Sequence, residues 1–179
     1  KTTQKFLKTF SNIDTKLVYG GVDVNTFKTT KNQTQRKIKG VKKAFSSSDI
    51  VVSFVGRMIE SKGPDTLVEA AKQITETQKN VYFIFAGEGS LYKKLSSKSS
   101  KQIFFIGGVN KNQVADLLSK TNILVHPSKH HEGFPNVLLE ASASGCAIIT
   151  TPMGGSTEIV TKETGIISGP DVQSITNNL

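Results

Sequence analysis

Tryptophan is absent from this sequence of 179 residues, and cysteine occurs once, at Cys146. A single cysteine excludes a disulfide framework. Its setting, Cys146-Ala147-Ile148-Ile149, reads as a small buried hydrophobe rather than a nucleophile. One cysteine also suits a reducing compartment, so a cytoplasmic location is expected. Apolar runs stay well short of the roughly 20 residues a membrane-spanning helix needs. The opening residues lack the order of a secretory signal. Arginine is nearly missing as well: the 23 basic residues include two, Arg36 and Arg57. In so lysine-biased a chain, an arginine after a strand suggests that a planar, bidentate fork is wanted there.

Charge is unevenly spread. Residues 1–43 hold ten Lys and one Arg against two Asp, and so carry the whole net charge of +9. From residue 44 onward, twelve basic and twelve acidic residues cancel. The basic segment is rich in Lys, Thr, Asn and Gln. It lacks the arginine-rich or aromatic-interleaved pattern of nucleic-acid recognition, and reads first as a solvated face. Such a cluster could also attract anionic lipid head groups, giving peripheral contact with the inner face of the membrane. Lys28–Lys43 reads as a linker or flexible insertion. Residues 1–10 have a helical pattern with nothing to pack on. Residues 1–15 are therefore expected to be the remnant of a preceding domain or an interdomain segment, with one domain over 16–179. The last segment, Asp171–Leu179, starts a helix and stops.

Beyond Lys16–Gly20, read as a strand leading into a loop, apolar runs alternate with helical periodicity. Strands are expected at Asp49–Val55, Val81–Ala86, Gln102–Ile106, Asn122–His126, Ala147–Thr151 and Gly165–Ile167. Helices are expected at Gly63–Thr77, Ser90–Ser97, after an Asn110 cap through Lys120, and at Asn136–Ser144. Asn110 supplies the side-chain oxygen an N-cap requires, and Gly145 suits a helix C-terminus. Strands separated by helices predict an α/β fold: an open parallel sheet with helices on both faces.

The most informative stretch runs from His130 to Ala141, His-His-Glu-Gly-Phe-Pro-Asn-Val-Leu-Leu-Glu-Ala. Two carboxylates, Glu132 and Glu140, lie eight positions apart across a Gly-Phe-Pro turn and an apolar run. Pro135 suits the first turn of a helix, where its missing N–H is not needed. Glu132 then belongs to a loop at a strand tip and Glu140 to the helix that follows. Both are placed toward the carboxyl edge of a parallel sheet, the usual ligand position in open α/β folds.

This stretch resembles the Glu-x7-Glu signature of retaining GT-B glycosyltransferases of family 4. Other elements match the same family in order: Tyr19-Gly20-Gly21-Val22-Asp23 with Phe27 (Gly20 standing where Asn is common), Gly56-Arg57 with Lys62-Gly63, Ala86-Gly87-Glu88-Gly89, Ile106-Gly107-Gly108-Val109, Pro127-Ser128, and Met153-Gly154-Gly155 with Glu158. The resemblance covers roughly residues 15–179. It implies the Rossmann-like C-terminal half of such an enzyme, the half that binds a nucleotide-sugar donor. UDP would be the first expectation for the nucleotide and GDP the second. The acceptor, a glycan or lipid-linked molecule in polysaccharide synthesis, would be held by an N-terminal domain not in this sequence, without which this half should do little catalysis.

A departing diphosphate needs charge stabilisation. Arg57 can fork two phosphate oxygens, Lys62 supplies a compact second charge, and a helix opening near Pro135 offers free N–H groups. By resemblance, Glu132 would contact the transferred sugar and complete the catalytic set with Arg57 and Lys62. Glu140 would accept from the ribose hydroxyls. Gly133, Phe134, Pro135 and Asn136 would border the phosphates, with Gly56 and Gly87 at neighbouring turns and Gly107 and Val109 beside the base. No Asp-x-Asp motif occurs, which agrees with metal-independent chemistry and no cofactor. His126, His130 and His131 invite a zinc reading, but Pro127 interrupts the helical face that a four-residue spacing would need. Phe134 reads as a packing residue. Competing classes are a nucleotide-sugar epimerase of the same architecture and a non-catalytic nucleotide-binding or interaction module. A dinucleotide oxidoreductase fits less well, because Gly87-x-Gly89 lacks its third glycine.

Overall fold

The computed structural model describes Thr9, Lys16, residues 18–28 and residues 36–179. Six strands form one sheet: β3 Ile50–Val55, β4 Val81–Ala86, β5 Ile103–Gly107, β6 Ile123–His126, β7 Ala147–Thr150 and β8 Gly165–Ile167. Their order is β5-β4-β3-β6-β7-β8, and every pairing is parallel. The expected strands lie within a residue or so of these limits. The chain builds outward from β3 through β4 to β5, then returns to lay β6 against the other side of β3. Neighbouring loops diverge at that reversal and leave a crevice at the carboxyl ends of β3 and β6.

Side-chain alternation sorts the core into two faces. Val52 and Phe54 of β3, with Val81, Phe83 and Phe85 of β4, pack beneath helix α2 (Pro64–Thr77) together with its Leu67, Val68, Ala70, Ala71 and Ile74. The C-terminal helix α7 (Val172–Asn178) joins that face through Ile175. On the opposite face, Leu124 and Ile148 meet Val114 and Leu118 of α4 (Lys111–Lys120), Leu138 and Ala141 of α5 (Asn136–Ala143), and Phe27 of the short α1 (Val24–Phe27). Small helices α3 (Tyr92–Ser96) and α6 (Ser156–Ile159) complete the connections. Among the described residues, no helix is long and apolar enough to cross a membrane.

Local chemistry accounts for the boundaries. Pro64 opens α2 at a position where an N–H would have no intrahelical partner, and Gly63 before it holds the left-handed φ of 67°. Asn110 and Gln113 form a reciprocal capping box at the start of α4. Gly145, with φ 67°, follows the last turn of α5 as expected of a helix-ending glycine. The buried Ser53 and Thr121 hydroxyls bond each other at 2.7 Å, so the polar atom on β3 is satisfied within the core.

Two expectations near the N-terminus differ from the structure. The described residues of Lys16–Gly20 form no strand. Lys28–Lys43 is not wholly linker: Arg36–Lys37 (β1) pairs antiparallel with Ala44–Phe45 (β2). This ribbon buries Ile38 and Phe45 against Val51, Ile84 and Leu117. Ile38 and Phe45 anchor it, with Val41 packed beside them, although Lys dominates the stretch, which is why composition alone reads it as a linker. Residues 29–35, and nearly all of the helix expected over 1–10, lie outside the described residues.

Candidate functional site

At the reversal between β3 and β6, a cleft of about 590 Å³ is lined by Phe54, Val55, Gly56, Arg57, Lys62, His126, Glu132, Pro135, Asn136 and Val137. Three segments build it. The first leaves β3 through Gly56 and Arg57 and tightens into a 3₁₀ turn, Glu60–Lys62, that presents Lys62. The second is the loop after β6 that carries Glu132. The third is the start of α5, where Pro135 caps the helix without a side-chain hydrogen bond and leaves its first N–H groups without side-chain partners.

These loops hold one another by backbone. The Ser61 carbonyl accepts from the Lys129 N–H at 2.9 Å, and the Ser128 hydroxyl oxygen lies 3.0 Å from it. Glycines make the closest approaches. A methyl group on Gly63 would stand 2.1 Å from the Pro127 carbonyl oxygen, and one on Gly87 would stand 1.9 Å from that of Gly56. On Gly154 it would stand 1.8 Å from the Glu132 carbonyl oxygen. Gly155 donates to the same carbonyl at 3.2 Å. The Gly154-Gly155 pair is therefore the seat on which the Glu132 loop rests.

Within the cleft, Lys62 Nζ and the Ser128 hydroxyl both donate to Glu132 Oε1, the latter at 2.6 Å. His126 Nε2 lies 3.7 Å from the same oxygen, beyond hydrogen-bond length. The nearby His126 imidazole first, acting from beyond hydrogen-bond length, then the hydrogen-bonded Lys62 ammonium and Ser128 hydroxyl, hold the Glu132 carboxyl far below the usual carboxylate range. They overcome the desolvation that would raise it. Side-chain exposures of 19% for Lys62, 15% for Glu132 and 6% for His126 place the cluster in the cleft wall. Arg57 is exposed at the mouth and has no ion-pair partner among the described residues.

The structure brings Gly56, Arg57, Lys62, Glu132, Pro135 and Asn136 together as lining. Gly133 and Phe134 form the adjoining rim. Phe134 packs against Tyr19 with ring centroids 5.2 Å apart. The Tyr19 hydroxyl donates to Glu158 at 2.6 Å, tying the early segment to the Gly154-Gly155 seat. Gly87 supports the floor behind Gly56. Val109 borders a different cavity, about 640 Å³, between the ribbon and α4. Gly107, at the end of β5, lies between two residues of that lining, Ile106 and Gly108.

Glu140 stands apart, half-buried along α5 and outside the lining of the cleft. Burial pushes its carboxyl above the usual carboxylate range, and Lys111 acts against that rise. Sequence reasoning assigned no role to Ser128 and considered His126 for a metal alone. Ser128 precedes Glu132 by four residues, but only the loop's fold brings its hydroxyl back to the carboxylate. Among the described residues, no three His, Cys, Asp or Glu side chains converge as a metal set.

Residues 34–179 match the family described as Glycosyl transferases group 1. The chain is 30% identical over 129 residues to the phosphatidylinositol N-acetylglucosaminyltransferase GPI3 subunit of Saccharomyces cerevisiae, covering 69% of this chain and 28% of that one. It is 27% identical over 173 residues to a GDP-mannose-dependent monoacylated alpha-(1-6)-phosphatidylinositol monomannoside mannosyltransferase of Corynebacterium glutamicum, covering 89% and 44%. Among solved structures, Anabaena Alr3699/HepE in complex with UDP and glucose superposes with a TM-score of 0.72 at 20% identity, over 90% of this chain and 45% of that one. The chain thus spans less than half the length of each.

Proposed function

This chain belongs to the glycosyl transferases group 1 family, and on that premise we propose that it is the donor-binding half of a retaining, family 4 glycosyltransferase. The observation that carries the proposal is the meeting of Arg57, Lys62 and Glu132 in one cleft at the strand-order reversal. The donor is a nucleotide diphosphate sugar, with UDP preferred. The sugar goes to a glycan or lipid-linked acceptor held by a second domain.

Each group has work suited to its chemistry. The exposed Arg57 fork has no ion-pair partner among the described residues, so it is available to two phosphate oxygens. Lys62 adds a second positive charge from the same segment, at the end of the 3₁₀ turn. The uncapped start of α5 offers N–H groups at its positive end. As the bond between the anomeric carbon and the diphosphate oxygen breaks, negative charge grows on that oxygen, where these groups are already placed. That arrangement supplies by protein charge what a bound cation would otherwise supply, and no cofactor enters the scheme. Glu132 stays ionised. Its Oε1 is held by Lys62 and Ser128, which leaves Oε2 for hydroxyls of the transferred sugar. Glu140 receives the ribose hydroxyls, and Gly107 to Asn110 border the base beside the second cavity.

Calorimetric titration with UDP, GDP, ADP and their sugar conjugates in magnesium-free buffer tests this directly. One nucleotide should bind, and Arg57→Ala and Glu140→Ala should each weaken it about tenfold or more. Binding that needs magnesium, or that ignores both substitutions, rules the assignment out.

A further inference from the structure

Lys62 is asked to do two things. It is the ionic partner of Glu132, yet the proposed function needs the same ammonium at the diphosphate. If it moves, Glu132 Oε1 keeps only the Ser128 hydroxyl, and a carboxylate that is largely buried loses its counter-charge. One group in the structure is placed to replace it. His126 Nε2 is buried and has no hydrogen-bond partner among the described residues. An orphaned buried nitrogen of this kind costs free energy unless something uses it.

Its position is fixed by the sheet. His126 is the last residue of β6 and pairs with Thr150 of β7. Its carbonyl accepts from the Thr150 hydroxyl at 3.1 Å. The imidazole lines the cleft beside Arg57, Lys62 and Glu132, while its β7 neighbours Thr150 and Thr151 are uncharged. The gap between Nε2 and Glu132 Oε1 is 3.7 Å. Closing it to the usual length of about 2.9 Å needs a small movement of the Glu132 loop.

We propose that His126 is a positioning residue that takes over Glu132 when Lys62 turns to the donor diphosphate. The Lys62 ammonium leaves Oε1 for a phosphate oxygen, and His126 Nε2–H donates to Oε1 in its place. Glu132 therefore keeps its orientation toward the sugar whether or not the diphosphate is present. The exchange swaps hydrogen bonds only; no covalent bond forms or breaks. It rests on the donor-binding reading given above, but half of it can be tested without any nucleotide.

The test follows the histidine ring protons and nitrogens of the chain by NMR, with the His126 signal assigned through His126→Gln. A histidine N–H bonded to a buried carboxylate gives a downfield, slowly exchanging proton signal. That signal should be absent in the empty wild-type chain. It should appear in empty Lys62→Met and disappear again in Lys62→Met with Glu132→Gln. Saturating UDP should produce it in the wild type. In calorimetry His126→Leu should weaken UDP about tenfold, and His126→Gln, which keeps an N–H donor near the Nε2 position, should stay within about twofold. No signal in either Lys62→Met or the UDP complex overturns the proposal. UDP binding with His126 unmoved overturns the hand-over and leaves the donor reading standing. Failure of UDP to bind at all overturns both. If Lys62→Met does not fold, the UDP arm on the wild-type chain decides alone.

Discussion

Two regions of this molecule use positive charge in opposite ways. The segment up to residue 43 carries the entire net charge of +9, and its described lysines are largely solvated around two apolar anchors, Ile38 and Phe45. The cleft at the β3–β6 reversal draws on just two basic side chains from a stretch that is neutral overall. One of those, Lys62, is fixed on a carboxylate with limited access to water. The amount of charge and its organisation are thus separate properties. An ammonium in water is screened within about 10 Å, whereas one held in a low-dielectric wall keeps its field.

Backbone fit should give the largest contrast between the regions. Gly154→Ala places a methyl 1.8 Å from the Glu132 carbonyl oxygen at a φ of 62°, so the seat must open. A loss of roughly 2–4 kcal/mol is expected in denaturant unfolding. Gly21→Ala, with nothing within 4 Å of its methyl, should stay within about 0.5 kcal/mol. Similar losses at both positions would erase the distinction.

Ligand affinity comes next. Lys62→Met should weaken UDP about tenfold, or about 1.4 kcal/mol. Replacing Lys37, Lys39 and Lys42 together by Gln should change it no more than about twofold at physiological salt. Calorimetry that found the triple variant to be the weaker binder would move the nucleotide toward the ribbon.

The smallest effect sets Glu132 against Glu140. Glu132 is held below the ordinary carboxylate range, so its contribution is present above the unfolded value of about 4.3 and fades only as pH falls through the lower folded value. Burial holds Glu140 above that range, so its ionised form opposes folding at neutral pH, and that penalty disappears as pH falls below the unfolded value. Glu132→Gln should then destabilise the chain at pH 7 and Glu140→Gln stabilise it. Each should amount to about 1 kcal/mol or less after allowance for screening in half-open surroundings. Unfolding curves at pH 7 and pH 4 should show the Glu140 gain shrinking at the lower pH. Equal signs at pH 7 would contradict the environments described here.

Much of this was legible in the residues. Runs such as Ile50–Val55 and Val81–Ala86 leave few alternatives to buried strands, and Gly56, Arg57, Lys62, Glu132 and Pro135, singled out in the sequence, line one cleft. Two things were not legible. The ribbon at residues 36–45 depends on two apolar side chains within a polar run, and strands of two residues carry no periodicity. Ser128 meets Glu132 only because the loop doubles back.

The crossings at Gly63, Gly87 and Gly154 carry a further consequence. Each joins one loop to the next through a carbonyl oxygen and a missing methyl group, so the fastening does not depend on which side chains the loops display. Residues facing the cleft can be exchanged while the frame stays closed, and those facing the frame cannot. A library that randomises positions such as Asn136 and Val137 while leaving the three glycines untouched should yield mostly folded variants, with selectivity for the sugar or base free to drift among them.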